Sequence, residues 1–185
     1  MNCIQGAQST DYLVKKSRFI GFAIPCTSET EVMTILHAIH VEHSNANHLA
    51  FAFKVLDSGQ MITRFNDAGE PKGTAGKPIL AHLEGKDLVN IVIAVIRYFG
   101  GIKLGAGGLV RAYGTTAKNV LECCTFIPYQ AMVTVDLQVD YKKLNEIQRQ
   151  LQVLDGRIIS QDFGAQIELT IQLPENNVDL LKSHL

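Results

Sequence analysis

Val89 to Val95 is apolar at all but one position and largely β-branched, a pattern that suits a strand buried on both faces. Arg97-Tyr98-Phe99-Gly100-Gly101 ends it, and the chain then runs through Ile102-Lys103-Leu104-Gly105-Ala106-Gly107-Gly108-Leu109-Val110-Arg111-Ala112-Tyr113-Gly114, with six glycines between positions 100 and 114. A strand, a glycine loop carrying a lysine, and then a helix is the order that brings bare backbone N–H groups to an anion. Glycines also serve positive φ and close backbone packing, but six exceed the needs of one turn. The expectation is a phosphate-type site made by Lys103, Arg111 and the N–H groups of Gly105, Gly107 and Gly108.

Two familiar phosphate motifs fail on inspection. A dinucleotide fingerprint counted from Gly105 through Gly107 meets Val110 where its last glycine belongs. Gly73-Thr74-Ala75-Gly76-Lys77-Pro78 looks like a Walker A loop, yet Pro71 replaces its first glycine and Pro78 the hydroxyl residue that would hold Mg²⁺.

Three ordered blocks carry a more specific signal: Lys15-Lys16-Ser17-Arg18-Phe19-Ile20, then Asn66-Asp67-Ala68-Gly69-Glu70-Pro71-Lys72-Gly73-Thr74-Ala75-Gly76-Lys77-Pro78, then Val95 through Gly114. Together they closely resemble the signature of the YigZ/IMPACT family, the bacterial YigZ proteins and their eukaryotic relatives, the IMPACT translation regulators. The resemblance implies an α+β architecture in two domains. Residues 1–127 would form an amino-terminal domain of the ribosomal-protein type with a left-handed βαβ fold. Residues 128–185 would form a ferredoxin-like domain similar to the last domain of elongation factor G. It also points toward RNA or a ribosome-associated protein as partner.

Composition agrees with a soluble, cytoplasmic chain. At 185 residues and 46% hydrophobic, it suits one large or two small domains with a real core. It contains neither an apolar run long enough to span a membrane nor a signal-peptide pattern at Met1 to Gly6. Cys3, Cys26, Cys123 and Cys124 lack metal-site or framework spacing, which fits reduced thiols. The formal charge is −1, but Lys and Arg outnumber acids 12 to 10 through Thr125, whereas acids lead 8 to 5 beyond it. A slightly basic domain binds phosphate where its cations converge. Lys15, Lys16 and Arg18 are therefore expected on the same side as Arg97 and Lys77, whereas Lys54, Lys86 and Lys118 read as solvated charges.

Along the chain, Phe19 to Ile24 reads as a strand closed by Pro25. Ser28-Glu29-Thr30-Glu31 is a capping box, with Glu31 placed to reach the Ser28 N–H, and a helix follows from Glu29 to Val41. Leu49 to Leu56 and Met61 to Phe65 read as strands around the Asp57 to Gln60 turn. Asn66 to Pro78 holds too many glycines and prolines for a regular element and reads as a long loop. A short helix over Ile79 to Leu83 and a longer one from Gly107 to Cys124 are expected, the latter burying Leu109, Ala112, Thr116, Val120 and Cys124. Pro128 marks the domain boundary. Beyond it, Val133 to Val139 alternates as a strand, Asp140 caps a helix carrying Leu144, Ile147 and Leu151, and two further strands lead to a helix on Val178, Leu181 and Leu185. This order is one strand short of the ferredoxin-like pattern, so the chain is either cut before that strand or leaves an open edge.

Other chemistry is less well supported. His40, His43 and His48 lack a zinc-site pattern, so no metal or cofactor is expected, although His43 and His48 could flank a loop site. Asp67 and Glu70 could act as acid and base, but acids in a Gly/Pro loop usually form turns. Two classes survive: a non-enzymatic nucleic-acid or ribosome-associated binding protein linked to regulation of translation, and an enzyme on a small phosphorylated substrate. The first is the expected one.

Overall fold

The computed structural model describes residues 1–183 and divides into two compact units, Met1–Tyr129 and Gln130–Leu185, together an α+β, two-domain chain. The first unit runs β1 (Asn2–Ile4), β2 (Gln8–Val14), β3 (Ser17–Pro25), α1 (Glu29–Glu42), β4 (His48–Asp57), β5 (Gln60–Asn66), α2 (Gly76–Gly85), β6 (Ile91–Tyr98), α3 (Gly105–Glu122) and β7 (Phe126–Pro128). Its five-stranded antiparallel sheet has the order β2-β3-β6-β4-β5, so β6 is central.

That position explains the continuous apolar run. Ile91, Ile93 and Val95 face α2 and α3 with Phe19, Ala50, Ala52, Ile79, Leu109 and Tyr113. Val92, Ala94 and Ile96 face α1 with Ile20, Phe53, Val32, Leu36 and Ile39. A strand covered on both sides has no polar face to alternate with.

Several local expectations are corrected by the structure. Ser28 caps α1 by accepting from the Glu31 N–H, but the Glu31 carboxylate closes back on Thr27, accepting from its N–H at 2.8 Å, rather than on Ser28. The segment before Phe19 is a full strand, and the β2–β3 hairpin turns on Lys15 and Lys16, both at positive φ (43° and 65°). Pro78 lies inside the first turn of α2, where a residue without an N–H is tolerated, so the long loop ends at Ala75. Asn2–Ile4 pairs with Phe126–Pro128, a two-stranded ribbon with no alternation to announce it.

The second unit runs β8 (Met132–Val139), α4 (Leu144–Val153), β9 (Arg157–Phe163), β10 (Ile167–Pro174) and α5 (Val178–Lys182), with antiparallel sheet order β8-β10-β9. Ile147, Leu151, Ile167, Leu169, Ile171 and Leu173 form its core. Asp140 stands before a 3₁₀ turn, Tyr141–Lys143, that leads into α4, and its side chain makes no capping bond. Leu185 lies outside the described residues. No described helix is long and apolar enough to cross a membrane.

Candidate functional site

The end of β6 meets the start of β4, and the register sets His48 opposite Arg97 while Phe19 of β3 flanks Arg97 on the other side. Residues paired across antiparallel strands share a face, so all three lie on the side covered by α2 and α3. Into this corner the loop before α2 brings Glu70, and α3 brings Tyr113.

Arg97 Nη1 donates to Glu70 Oε1 at 2.7 Å, and the Tyr113 hydroxyl donates to the same oxygen at 2.8 Å. Arg97 and Glu70 side chains are 6% and 4% exposed, so the pair is withdrawn from water. Burial, joined by the charge of Glu70, pushes the Tyr113 hydroxyl well above its ordinary range and keeps it a donor. The guanidinium is also within cation–π reach of two rings, 5.5 Å from Phe19 and 5.4 Å from Phe99. Its Nη2 is 3.5 Å from Ser17 Oγ, and its Nε is buried with no hydrogen-bond partner among the described residues.

His48 is oriented by a backbone bond. Its Nδ1 lies 2.8 Å from the Ala68 carbonyl oxygen, which only accepts, so Nδ1 carries the proton. Nε2 faces Glu70 Oε1 at 3.7 Å, within ion-pair distance when the ring is protonated. Asn47 Oδ1 accepts from the Phe99 N–H at 2.8 Å, which leaves the Asn47 amide nitrogen as donor.

Asn47, His48, Glu70, Arg97 and Phe99 line a cavity of about 390 Å³ together with Pro71, Lys103, Leu104, Gly105, Ala106 and Leu109. Gly105, at φ 73°, swings the chain into α3, and Leu104 before it has no side-chain group to offer the first-turn N–H groups. The helix end adds roughly half a positive charge to that of Lys103. Glu70 and Arg97 cancel each other, so the cavity favours an anion.

The sequence candidates are distributed unevenly. Arg97, Lys103, Gly105, Glu70 and His48 meet at this cavity. Lys15, Gly108 and Arg111 line an adjoining hollow of about 210 Å³ that shares Leu104 with it. Lys16 and Lys77 are exposed outside both, and Gly107 lies in the first turn of α3 near Arg111. Arg18 departs from the expected single basic surface: it pairs with Tyr98, on the α1 face, and its guanidinium is bound to Asp11 at 2.6 Å. His43 is also on that face, bonded to the Tyr98 hydroxyl at 2.9 Å, so His43 and His48 are on opposite sides of the sheet.

Asp67 has a structural task. Its carboxylate accepts from the N–H groups of Gly73, Ala75 and Gly76 at 2.8, 3.0 and 2.8 Å. Burial alone would raise its pKa, but these three bonds together outweigh it and hold the carboxyl below its ordinary range. Among the described residues no cluster of His, Cys, Asp and Glu is placed to hold a metal. Sequence reasoning missed Tyr113, Asn47 and Phe99. A tyrosine on the buried face of a glycine-rich helix, one turn beyond Leu109, was the available signal for the first.

Residues 15–121 match the model of the Impact N-terminal domain, and residues 137–185 match a domain of unknown function (DUF1949). The chain is 37% identical over 167 residues to the IMPACT family member YigZ of Escherichia coli, covering 89% of this chain and 81% of that protein. It is 38% identical over 175 residues to an IMPACT family member of Haemophilus influenzae, covering 93% and 84% respectively. A crystal structure of a hypothetical protein superimposes with TM-score 0.74 at 33% identity, over 99% of this chain and 89% of that one.

Proposed function

Because the chain belongs to the IMPACT family, we propose that it is a non-enzymatic, cytoplasmic binding protein linked to regulation of translation, and that its first unit holds RNA, free or within the ribosome. The observation that carries the reading is the meeting of two features on one cavity, the uncapped start of α3 and Lys103, beside the buried Arg97–Glu70 pair. Both favour a phosphate oxygen, and a phosphate held this way carries affinity without demanding a strongly basic protein. Lys15 and Arg111, in the adjoining hollow, suit a neighbouring phosphate of the same strand.

Catalysis on a small phosphorylated substrate draws less support. Asp67 is spent on three backbone donors, and Glu70 is tied to Arg97 and Tyr113, so neither is a free base. The test is capture on the immobilised protein from a lysate, with and without nuclease. The reading predicts RNA or ribosomal particles that are retained and then lost on nuclease treatment; retention of no RNA under either condition would overturn it.

A further inference from the structure

Resting on the RNA reading, we infer that the ligand is single-stranded and that one unstacked nucleotide enters the cavity, its phosphate at Lys103 and the first turn of α3, its base against Phe99. Phe99 lines the cavity and is 46% exposed, beside the buried side chains of Arg97, Glu70 and Leu109. Its ring is steadied by the Arg97 guanidinium 5.4 Å away, and its backbone by the bond from its N–H to Asn47. A half-exposed aromatic at the mouth of a basic cavity is the platform on which splayed bases stack.

The cavity's size points the same way. About 390 Å³ falls within the range of small-ligand sites, enough for one nucleotide-sized group and concave where a duplex is convex. A paired A-form helix keeps its bases stacked and is read by shape across its minor groove, so it has nothing to place inside. The Asn47 amide as donor, beside the His48 ring, gives a wall suited to a base edge or a ribose hydroxyl. Few cations line the path, which suits one or two phosphate contacts rather than a long tract.

The experiment compares the full chain's affinity for a short single-stranded RNA, the same RNA annealed to its complement, and versions of the single strand made abasic at each position in turn. The inference predicts tighter binding of the single strand than of the duplex. It also predicts a position at which loss of the base weakens binding by about 5- to 150-fold. Phe99→Ala should erase the difference between intact and abasic RNA, and Phe99→Trp should keep it. The abasic series on the parent protein does not depend on how well any variant folds. Equal binding of duplex and single strand, or indifference to every base, would overturn this inference and leave the RNA reading standing. No binding of either RNA at any salt concentration would overturn both.

Discussion

Glu70 and Arg97 hold each other out of water, and such a pair is costly to break from one side. Glu70→Ala strands a buried guanidinium and leaves the Tyr113 hydroxyl without its acceptor, so urea unfolding should report a loss of about 3–5 kcal/mol. A loss below about 1 kcal/mol, the scale of an exposed pair, would mean the charges are better solvated than their burial indicates. Asp67 makes a separate prediction in acid. Its folded-state pKa is lowered, so its stabilisation is fully present above the ordinary carboxylate value and disappears as pH falls through the lowered one. Asp67→Asn should therefore be less stable at neutral pH, and its stability should fall less steeply than the parent's below about pH 4. Parallel pH profiles for the two proteins would contradict this. At this scale the charged candidates could be read from their motif blocks, but their partners could not. Nothing in the spacing of Arg97, Glu70 and Tyr113 announces that three elements bring them to one oxygen.

Elements with a strong period were legible and elements set by tertiary contact were not. The β6 run, the α1 periodicity and the alternation of β8 each follow from the face they bury, and each is visible in a short window of sequence. The β2–β3 hairpin was not, because its turn uses two lysines in left-handed conformations where glycine or asparagine would be the usual signal. What holds that turn is on a distant part of the chain. A Cβ added at Gly100 would lie 2.0 Å from the Lys16 carbonyl carbon and oxygen, so the glycine loop packs backbone to backbone on the hairpin. The first glycine of the loop thus serves close approach, and Gly105 serves the swing into α3. Gly100→Ala should force the two segments apart and lower the midpoint of thermal unfolding. An unchanged midpoint would show that the hairpin can move away without loss.

For the whole molecule, the two units differ in charge as well as fold. Lys and Arg exceed acids by two through Thr125 and fall short by three after it, so attraction to a polyanion belongs to the first unit. The family assignment rests on both units, since the matched segments lie one in each. The shared signature blocks identify the architecture, but the use of the cavity follows only from which side chains the fold gathers there. The most direct measurement is the affinity of the parent and of Lys103→Ala for single-stranded RNA across a range of salt concentrations. Losing one phosphate contact should weaken binding at low salt and reduce the slope of log K against log salt by about 0.7. Identical affinities and slopes for the two proteins would contradict a phosphate site at the start of α3.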